Sequence, residues 1–406
     1  MRLWQTNPLQ EITLVRGQGC TVWDEAGKPY LDLLSGTWCN VLGYGHPRWV
    51  AAVQDQVSRL AHVGASFPTA EVHEALFKLQ EALPSALNRA VFLNTGSEAV
   101  ELALKMAHAA TGADGVVVVE QGYYGATTYA LALSEAGRAA PYLPRLGGVH
   151  RLPAPTCRRC PVGRSWPCED LACLDTLRAL VDGGEGGIAA VLYEPVMGVA
   201  GVVVPPPGYG AHLRQLATRC GALLIAEEVT TGVGRTGRWF GFEHDGIVPD
   251  ILVIGKAIGG GLPVSAVVTT QEVEARCQGV LRHVQSHQND PFSGRISATV
   301  ISILQEERLV ERAAERGAYL LRSLKELQSR HTWIWDVRGK GLMLGIELEQ
   351  ERAVEGEAAF RRLLDAGFIV DYQPHAATFR LFPPYVISTQ EIDRFLTAFE
   401  HALSGR

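Results

Sequence analysis

Short apolar runs alternate with helical patterns through the middle of the chain, and each run ends in polar or glycine-rich sequence. Such runs are typical of buried strands in a parallel sheet that has helices on both faces. The carboxyl ends of parallel strands meet at one edge, where open α/β sheets bind ligands. The sequence therefore predicts an α/β fold with a ligand site at that edge. The expected strands are residues 90–93, 116–119, 188–193, 223–226, 250–254 and 264–269.

The last third of the chain follows a different pattern. Residues 296–329 form a long helical stretch, and residues 337–349 alternate like a pair of strands. This change predicts two domains. We expect residues 48–295 to form the large one, and residues 1–47 and 296–406 to form a smaller α+β domain over the carboxyl edge of the sheet.

Composition excludes several classes of protein. The 406 residues can bury a large core, and a net charge of -6 without long runs of like charge argues against nucleic acid or an anionic membrane as the main partner. Residues 1–15 lack the pattern of a signal peptide, and no apolar run approaches the ~20 residues of a membrane span. We expect a cytoplasmic protein.

Four of the eight cysteines cluster in a segment rich in proline and arginine. Cys157, Cys160, Cys168 and Cys173 follow the spacing C-x2-C-x7-C-x4-C. Four thiolates could bind zinc. Free thiols or a local disulfide are the alternatives.

Two segments after predicted strands suit a phosphorylated, flat ligand. Thr95 and Glu98 stand at capping-box spacing before a helix, and the free N–H groups of a helix start suit a phosphate. A simple N-cap is the alternative. Tyr123 or Tyr124, which follow residues 116–119, could stack on a ring.

Two ionisable residues complete this set. Lys256 lies in an apolar strand end, where a lowered pKa would make it a nucleophile toward carbonyls, unless its amine reaches bulk water. Glu227 ends the strand of residues 223–226, where it either acts on a ligand or serves as a structural cap or ion-pair partner. Pyridoxal phosphate needs these parts: a lysine for the Schiff base, an acid for the pyridine nitrogen and a helix start for the phosphate.

The motifs that follow one another along the chain point to one family. They are SGTWCNVLGYGHP, NTGSEAVELALK, YYG, EPVMG, EEVTTGVGRTG, GKAIGGGLP, VRGKGLMLGIEL and FRLFPPY. With them the chain resembles the class III aminotransferases, which include ornithine, acetylornithine and 4-aminobutyrate aminotransferases. The resemblance implies the pyridoxal phosphate-dependent transferase fold type I, with a mainly parallel seven-stranded sheet. It also implies transfer of an amino group between an amine or amino acid and a keto acid or aldehyde.

The resemblance assigns cofactor contacts residue by residue. Lys256 would form the Schiff base and then act as the acid–base that moves the substrate proton. Gly96 and Ser97 would hold the phosphate, Tyr123 would stack on the ring, and Val229 would pack under its other face. Glu227 would pair with the pyridine nitrogen as the second catalytic residue.

Other implied roles concern the substrate and the partner subunit. Ser286 would complete the phosphate site of the other subunit, which implies an obligate homodimer. Arg380 matches an arginine that binds the substrate carboxylate in several members; a structural ion pair is the alternative. Apart from the resemblance, we expect Trp38 and Tyr124 to shape the substrate pocket; a packing anchor is the alternative for Trp38.

One departure from the family pattern concerns the catalytic acid. The family normally has Asp-Glu where this chain has Glu227-Glu228, so one extra methylene must fit beside the pyridine nitrogen. Amino-acid racemases, epimerases and a decarboxylating branch share the fold and motifs, so they remain alternatives. A non-catalytic regulatory homologue is a further alternative, against which the retained Lys256 argues.

Overall fold

The computed structural model describes residues 4, 6, 10–166, 168–184 and 187–405. Its strands are β1 (Leu14–Gln18), β2 (Thr21–Asp24), β3 (Pro29–Asp32), β4 (Leu87–Leu93), β5 (Gly115–Val119), β6 (Val149–Leu152), β7 (Ile188–Tyr193), β8 (Leu223–Glu228), β9 (Ile251–Ile254), β10 (Ser265–Thr270), β11 (Ile334–Lys340), β12 (Met343–Leu348), β13 (Phe368–Ile369), β14 (Asp371–Gln373) and β15 (Thr378–Leu381).

The helices alternate with these strands along the chain. They are α1 (Ser35–Trp38), α2 (Pro47–Arg59), α3 (Ala70–Ala82), α4 (Gly96–Thr111), α5 (Thr128–Leu133), α6 (Asp175–Asp182), α7 (Tyr209–Arg219), α8 (Gln271–Cys277), α9 (Pro291–Glu306), α10 (Leu309–Arg330), α11 (Ala353–Asp365) and α12 (Thr389–Leu403). Among the described residues, no helix combines the length and apolarity that crossing a bilayer requires.

The central sheet has seven strands in the order β4-β10-β9-β8-β7-β5-β6. The five strands from β9 to β6 run parallel, and β10 is antiparallel to both β9 and β4. The predicted mainly parallel seven-stranded sheet of an α/β fold is therefore confirmed. β5, β7, β8 and β9 are buried along their whole length, as their apolar sequences require.

The strand β8 is two residues longer than predicted. Glu227 and Glu228 continue its ladder and pair with Val253 and Ile254 of β9. Both glutamates are therefore held by the sheet itself, next to the strand that leads into Lys256. This register places the acid and the lysine on neighbouring strand ends.

Two smaller sheets flank the central one. The order β1-β2-β3-β13 joins the N-terminal strands to a short strand near the C-terminus, and β11-β12-β15-β14 is antiparallel throughout. The pattern of residues 11–34, with a break at Asp24 and residues 27–29, predicts two short strands around a turn, and the structure has three strands there. The sequence also did not predict β6, β13 or β14. These three strands are short and only partly buried, so they lack the apolar run that marks a central strand.

Candidate active site

A cavity of about 290 Å³ lies at the carboxyl ends of the central strands. It brings together every predicted cofactor contact except Ser286. The residues predicted from sequence that line it are Gly96, Ser97, Tyr123, Tyr124, Glu227, Val229 and Lys256. The convergence of these separate segments matches the ligand edge expected for an open α/β sheet.

Lys256 occupies the turn that follows β9. Its φ of 44° is in the left-handed region, which is unusual for a non-glycine residue and concentrates at functional sites. The ammonium donates a hydrogen bond to Thr230 Oγ1 at 2.7 Å and lies 4.4 Å from the centroid of the Trp38 ring. Thr230 lines the cavity together with Lys256. Desolvation lowers the pKa of Lys256, against the opposing effect of the Glu227 carboxylate.

Three buried glutamates lie at the ends of β7 and β8: Glu194 and Glu227 line the cavity, and Glu228 does not. Glu228 accepts hydrogen bonds from the backbone N–H groups of Gly241 and Phe242, at 2.5 and 2.8 Å, and from Thr231. It therefore fixes the loop beyond β8. Glu194 accepts from the backbone N–H groups of Tyr123 and Gly198, both at 3.0 Å.

Glu227 differs from its two neighbours because it lines the cavity without such a set of donors. Burial raises its pKa well above the ordinary value, and the nearby Glu194 carboxylate adds to the rise. Burial also raises the pKa of Glu194, to about 7. A carboxyl group in these surroundings favours a cationic partner at the point where it meets the cavity.

The opposite end of the cavity is the start of α4. The predicted capping box is present, since Thr95 accepts from the backbone of Glu98 and Glu98 accepts from the backbone of Thr95. A side chain at Gly96 would put its Cβ 2.8 Å from Val229 Cγ2. Glycine thus leaves the helix start open beside Val229. The cap satisfies only part of the free N–H groups, so an anion can take the rest.

Comparison with known proteins identifies the family of this chain. The description "Aminotransferase class-III" fits residues 4–403. The chain belongs to the class III aminotransferase family. It is 36% identical to the acetylornithine aminotransferase of Methanopyrus kandleri, over 97% of the chain and 94% of that protein. It is 32% identical to a leucine/methionine racemase of Thermococcus litoralis, over 97% of the chain and 90% of that protein.

A solved structure extends the comparison to the fold. An amine transaminase from an uncultivated Pseudomonas species, in its pyridoxal phosphate-bound form, superposes with a TM-score of 0.91 at 28% identity. The match covers 100% of this chain and 99% of that one. The predicted transferase fold type I is confirmed, and the protein is a pyridoxal phosphate-dependent aminotransferase.

The cavity of this aminotransferase fits its cofactor. An anion-binding helix start, a buried acid and a lysine with a lowered pKa lie around one space, which meets the needs of a phosphate, a pyridine nitrogen and an aldehyde. Tyr123 and Val229 supply a ring and an apolar side chain on its walls.

Trp38 and Arg380, which were predicted to contact the substrate, lie next to each other and are not among the lining residues of the cofactor cavity. Trp38 is buried and stacks on Phe382, with ring centroids 4.4 Å apart. The guanidinium carbon of Arg380 lies 4.9 Å from the Trp38 centroid. Arg380 forms an ion pair with Asp371, the residue opposite it in the β14–β15 ladder, and donates to the carbonyl of Val199 at 3.4 Å. The ion-pair alternative therefore describes Arg380 in this structure.

Tyr124 and Ser286 are the two remaining residues with predicted roles in the site. Tyr124 is 2% exposed, and its hydroxyl exchanges hydrogen bonds with the backbone N–H and carbonyl of Val119. This arrangement favours a structural role over the predicted substrate contact. Ser286 is exposed and does not line the cavity of its own chain.

One residue of the site had no role in the sequence prediction. Glu194 directly follows β7, whereas Glu227 is the penultimate residue of β8, and Glu194 accepts a hydrogen bond from the backbone N–H of Tyr123. The sequence does mark Glu194 as a candidate, because it follows an apolar run that predicts a buried strand, as Glu227 does. The sequence pattern did not show that neighbouring strands would bring the two carboxylates together.

The cysteine cluster lies apart from the cofactor cavity. Cys157, Cys160, Cys168 and Cys173 line one small cavity, and all four are free thiols. Within the described ranges, no three of their sulfur atoms lie within 4.8 Å of one another.

Proposed function

We propose that this aminotransferase binds its amino donor between Lys256 and Trp38, with Lys256 and Glu227 as catalytic residues. The observation that carries the proposal is the shared cavity: a lysine whose pKa is lowered by desolvation and a buried glutamate whose pKa is raised face one space. Paired shifts of this kind are typical of catalytic groups. They also match the needs of the cofactor at its two reactive ends.

Lys256 is proposed to bind the cofactor aldehyde and then to move a proton. Its lowered pKa increases the share of neutral amine that can attack a carbonyl. With the cofactor bound, the Lys256 amine that the substrate has displaced would accept the proton from the substrate Cα and pass it on. Thr230 Oγ1, 2.7 Å from Nζ, holds the amine in the cavity.

Glu227 is proposed to hold the pyridine nitrogen in its protonated state. When bound, pyridoxal phosphate withdraws electrons from the bonds to the substrate Cα through its protonated ring. The cationic nitrogen would offset the burial that raises the pKa of Glu227, so carboxylate and ring would stabilise each other. We propose that the longer glutamate side chain makes this contact where the family normally has aspartate.

Gly96, Ser97, Tyr123 and Val229 are proposed as the remaining cofactor contacts within one chain. The start of α4 would hold the phosphate, and Tyr123 and Val229 would enclose the ring. The hydrogen bond between the Ala126 N–H and Ser97 Oγ, at 2.9 Å, fixes Ser97 beside the helix start.

A homodimer is proposed to complete the site. Ser286 is exposed and does not line the cavity of its own chain. Exposed apolar side chains lie in the same segment and in the segment that it meets through His62 and His287. They are Leu60, Phe67, Val280 and Val284. Apolar groups of this kind favour a second copy of the chain as the covering surface.

The division into two domains is proposed at the predicted boundaries, residues 48–295 and residues 1–47 with 296–406. The pairing of β13 with β3 supports it, since strands from the two ends of the chain share a sheet. The cytoplasmic location, and the absence of nucleic acid and membrane partners, stay predictions from the sequence.

Racemisation is the second candidate, because one relative at 32% identity is a leucine/methionine racemase. Both reactions begin with removal of the Cα proton, so Lys256 and Glu227 serve either one. They differ in where the proton returns: to the cofactor for transfer, or to the opposite face of Cα for racemisation.

Incubation with L-amino acids in heavy water, without a keto acid, separates these functions. We expect the bound cofactor to convert to its amine form, with the matching keto acid released. An inverted amino acid carrying deuterium at Cα, with the cofactor unchanged, would contradict the proposal.

A further inference from the structure

Outside the cofactor cavity, three side chains meet in the arrangement of a metal site. His62 Nδ1 lies 2.9 Å from Asp290 Oδ2, and His287 Nδ1 lies 2.5 Å from the same oxygen. The two imidazole centroids are 4.4 Å apart. In the part of the chain that the structure describes, this is the only group of three or more His, Cys, Asp or Glu side chains with all ligand atoms within 4.8 Å.

Asp290 is built into this group in an unusual way. Its side chain is 4% exposed, whereas those of His62 and His287 are 42% and 55% exposed. It stands at the N-cap position of α9, but its side chain makes no cap hydrogen bond. Among the described residues, Asp290 Oδ1 is buried without any hydrogen-bond partner. A buried carboxylate oxygen is costly unless a donor or a cation satisfies it.

We propose that His62, His287 and Asp290 bind a divalent transition-metal ion, for which zinc is the best match. Two imidazoles and one carboxylate are zinc ligands in sites that leave a position open to water, whereas magnesium and calcium prefer oxygen ligands throughout. Ligand atoms about 2.0–2.1 Å from a tetrahedral zinc are about 3.3 Å apart. The observed separations of 2.9 and 2.5 Å need to widen by less than about 1 Å.

The site would link two segments of the chain. His62 belongs to the connection between α2 and α3, and His287 and Asp290 precede α9. The bound ion would hold the segment before α9, which carries Ser286, against the connection between α2 and α3. For the imidazoles to bind through Nδ1, each must carry its remaining proton on Nε2, which faces away from Asp290.

Calorimetric titration of zinc chloride into the holoenzyme tests the site. The protein is first treated with a chelator and dialysed, and it carries Cys157→Ser and Cys160→Ser so that the thiol cluster does not compete. We expect one zinc per chain, with affinity at least ~10-fold weaker in His62→Gln and in His287→Gln. His401→Gln, at an exposed histidine of α12, is the matched control and should bind as the background protein does.

The absorption spectrum of the same protein loaded with cobalt(II) shows which kinds of atom bind the metal. Nitrogen and oxygen ligands give visible d–d bands without the thiolate charge-transfer band in the near ultraviolet, and His287→Gln should change these bands. The proposal is overturned if no zinc binds, if both histidine variants bind it unchanged, or if the cobalt spectrum is that of thiolate ligands. Because each readout is binding, it is independent of whether the enzyme transfers an amino group.

Discussion

At the scale of single residues, two buried acids, Glu194 and Glu227, share the cavity with one lysine, and Glu228 lies buried beside it on β8. Glu194, Glu227 and Glu228 are almost fully removed from water, and Lys256 is the cation whose charge lowers the pKa of Glu227. Each carboxylate in such surroundings needs hydrogen bonds or positive charge. Backbone N–H groups satisfy Glu194 and Glu228, which leaves Glu227 to a cation that enters the cavity. A protonated pyridine ring meets that need.

Replacement of Lys256 by alanine should remove both the bound-cofactor absorbance and turnover. The amine is the group that would bond the cofactor aldehyde and carry the proton, so we expect the rate to fall by ~100-fold or more. Lys105→Ala, at an exposed lysine of α4, is the matched control. Visible absorbance and turnover that survive in Lys256→Ala would remove this lysine from the mechanism.

The Asp371–Arg380 pair predicts a choice between substrates. Asp371 neutralises Arg380, so a substrate carboxylate has to compete with it for the guanidinium. In Asp371→Asn, we expect the KM of an amino-acid donor to fall about tenfold, a gain of about 1.4 kcal/mol, while that of the matching amine without a carboxylate stays unchanged. Equal changes for both donors would show that Arg380 does not meet the substrate carboxylate.

At the scale of elements, central strands and amphipathic helices were predictable from local sequence. β7 begins and ends at the predicted residues 188 and 193, because its apolar run stands between clear breaks in the sequence. β13 and the Asp371–Arg380 pair were not predicted. Both depend on which distant strands become neighbours, and short, partly buried segments carry no local sign of their partner.

The same distinction holds for the site. Lys256, Glu227 and Gly96 follow strands whose carboxyl ends must meet, so their convergence was predictable. The position of Tyr124 was not, since its hydroxyl bonds to the backbone of Val119. The His62–His287–Asp290 group joins two connections that are more than 200 residues apart in sequence. No sequence motif predicts this group.

The start of α4 offers a test of the phosphate site. In Gly96→Ala the new Cβ would approach Val229 Cγ2 to 2.8 Å, so Val229 or the helix start must shift. Such overpacking costs about 1–3 kcal/mol, and we expect pyridoxal phosphate to bind about tenfold more weakly. Gly147→Ala is the control, because a Cβ there meets nothing within 4 Å. Equal cofactor affinity in both variants would contradict the placement of the phosphate.

At the scale of the whole molecule, the proposed site belongs to two subunits. Lys256 of one chain and Ser286 of the other would serve the same cofactor, so chains damaged at different positions should complement each other. Ser286→Asp, which places a carboxylate against the phosphate, and Lys256→Ala should each be inactive as homodimers. After subunit exchange, we expect about a quarter of the wild-type activity, because half of the dimers are hybrids with one intact site.

The subunit-exchange experiment also needs the oligomeric state of each sample. Light scattering should give a dimer for each variant alone and for the mixture. Dimers that exchange subunits without any recovery of activity would contradict a shared site, since they would show that Ser286 serves the cavity of its own chain or none.

The pairing of Glu227 with the cofactor is tested most directly by the nitrogen-15 chemical shift of labelled pyridoxal phosphate in the enzyme. We predict a protonated pyridine nitrogen in the wild type and a deprotonated one in Glu227→Gln, with turnover reduced ~100-fold. Glu227→Asp, which restores the usual family residue, should keep the nitrogen protonated. A wild-type nitrogen without its proton, or a Glu227→Gln nitrogen that keeps it at full turnover, would contradict the role of Glu227.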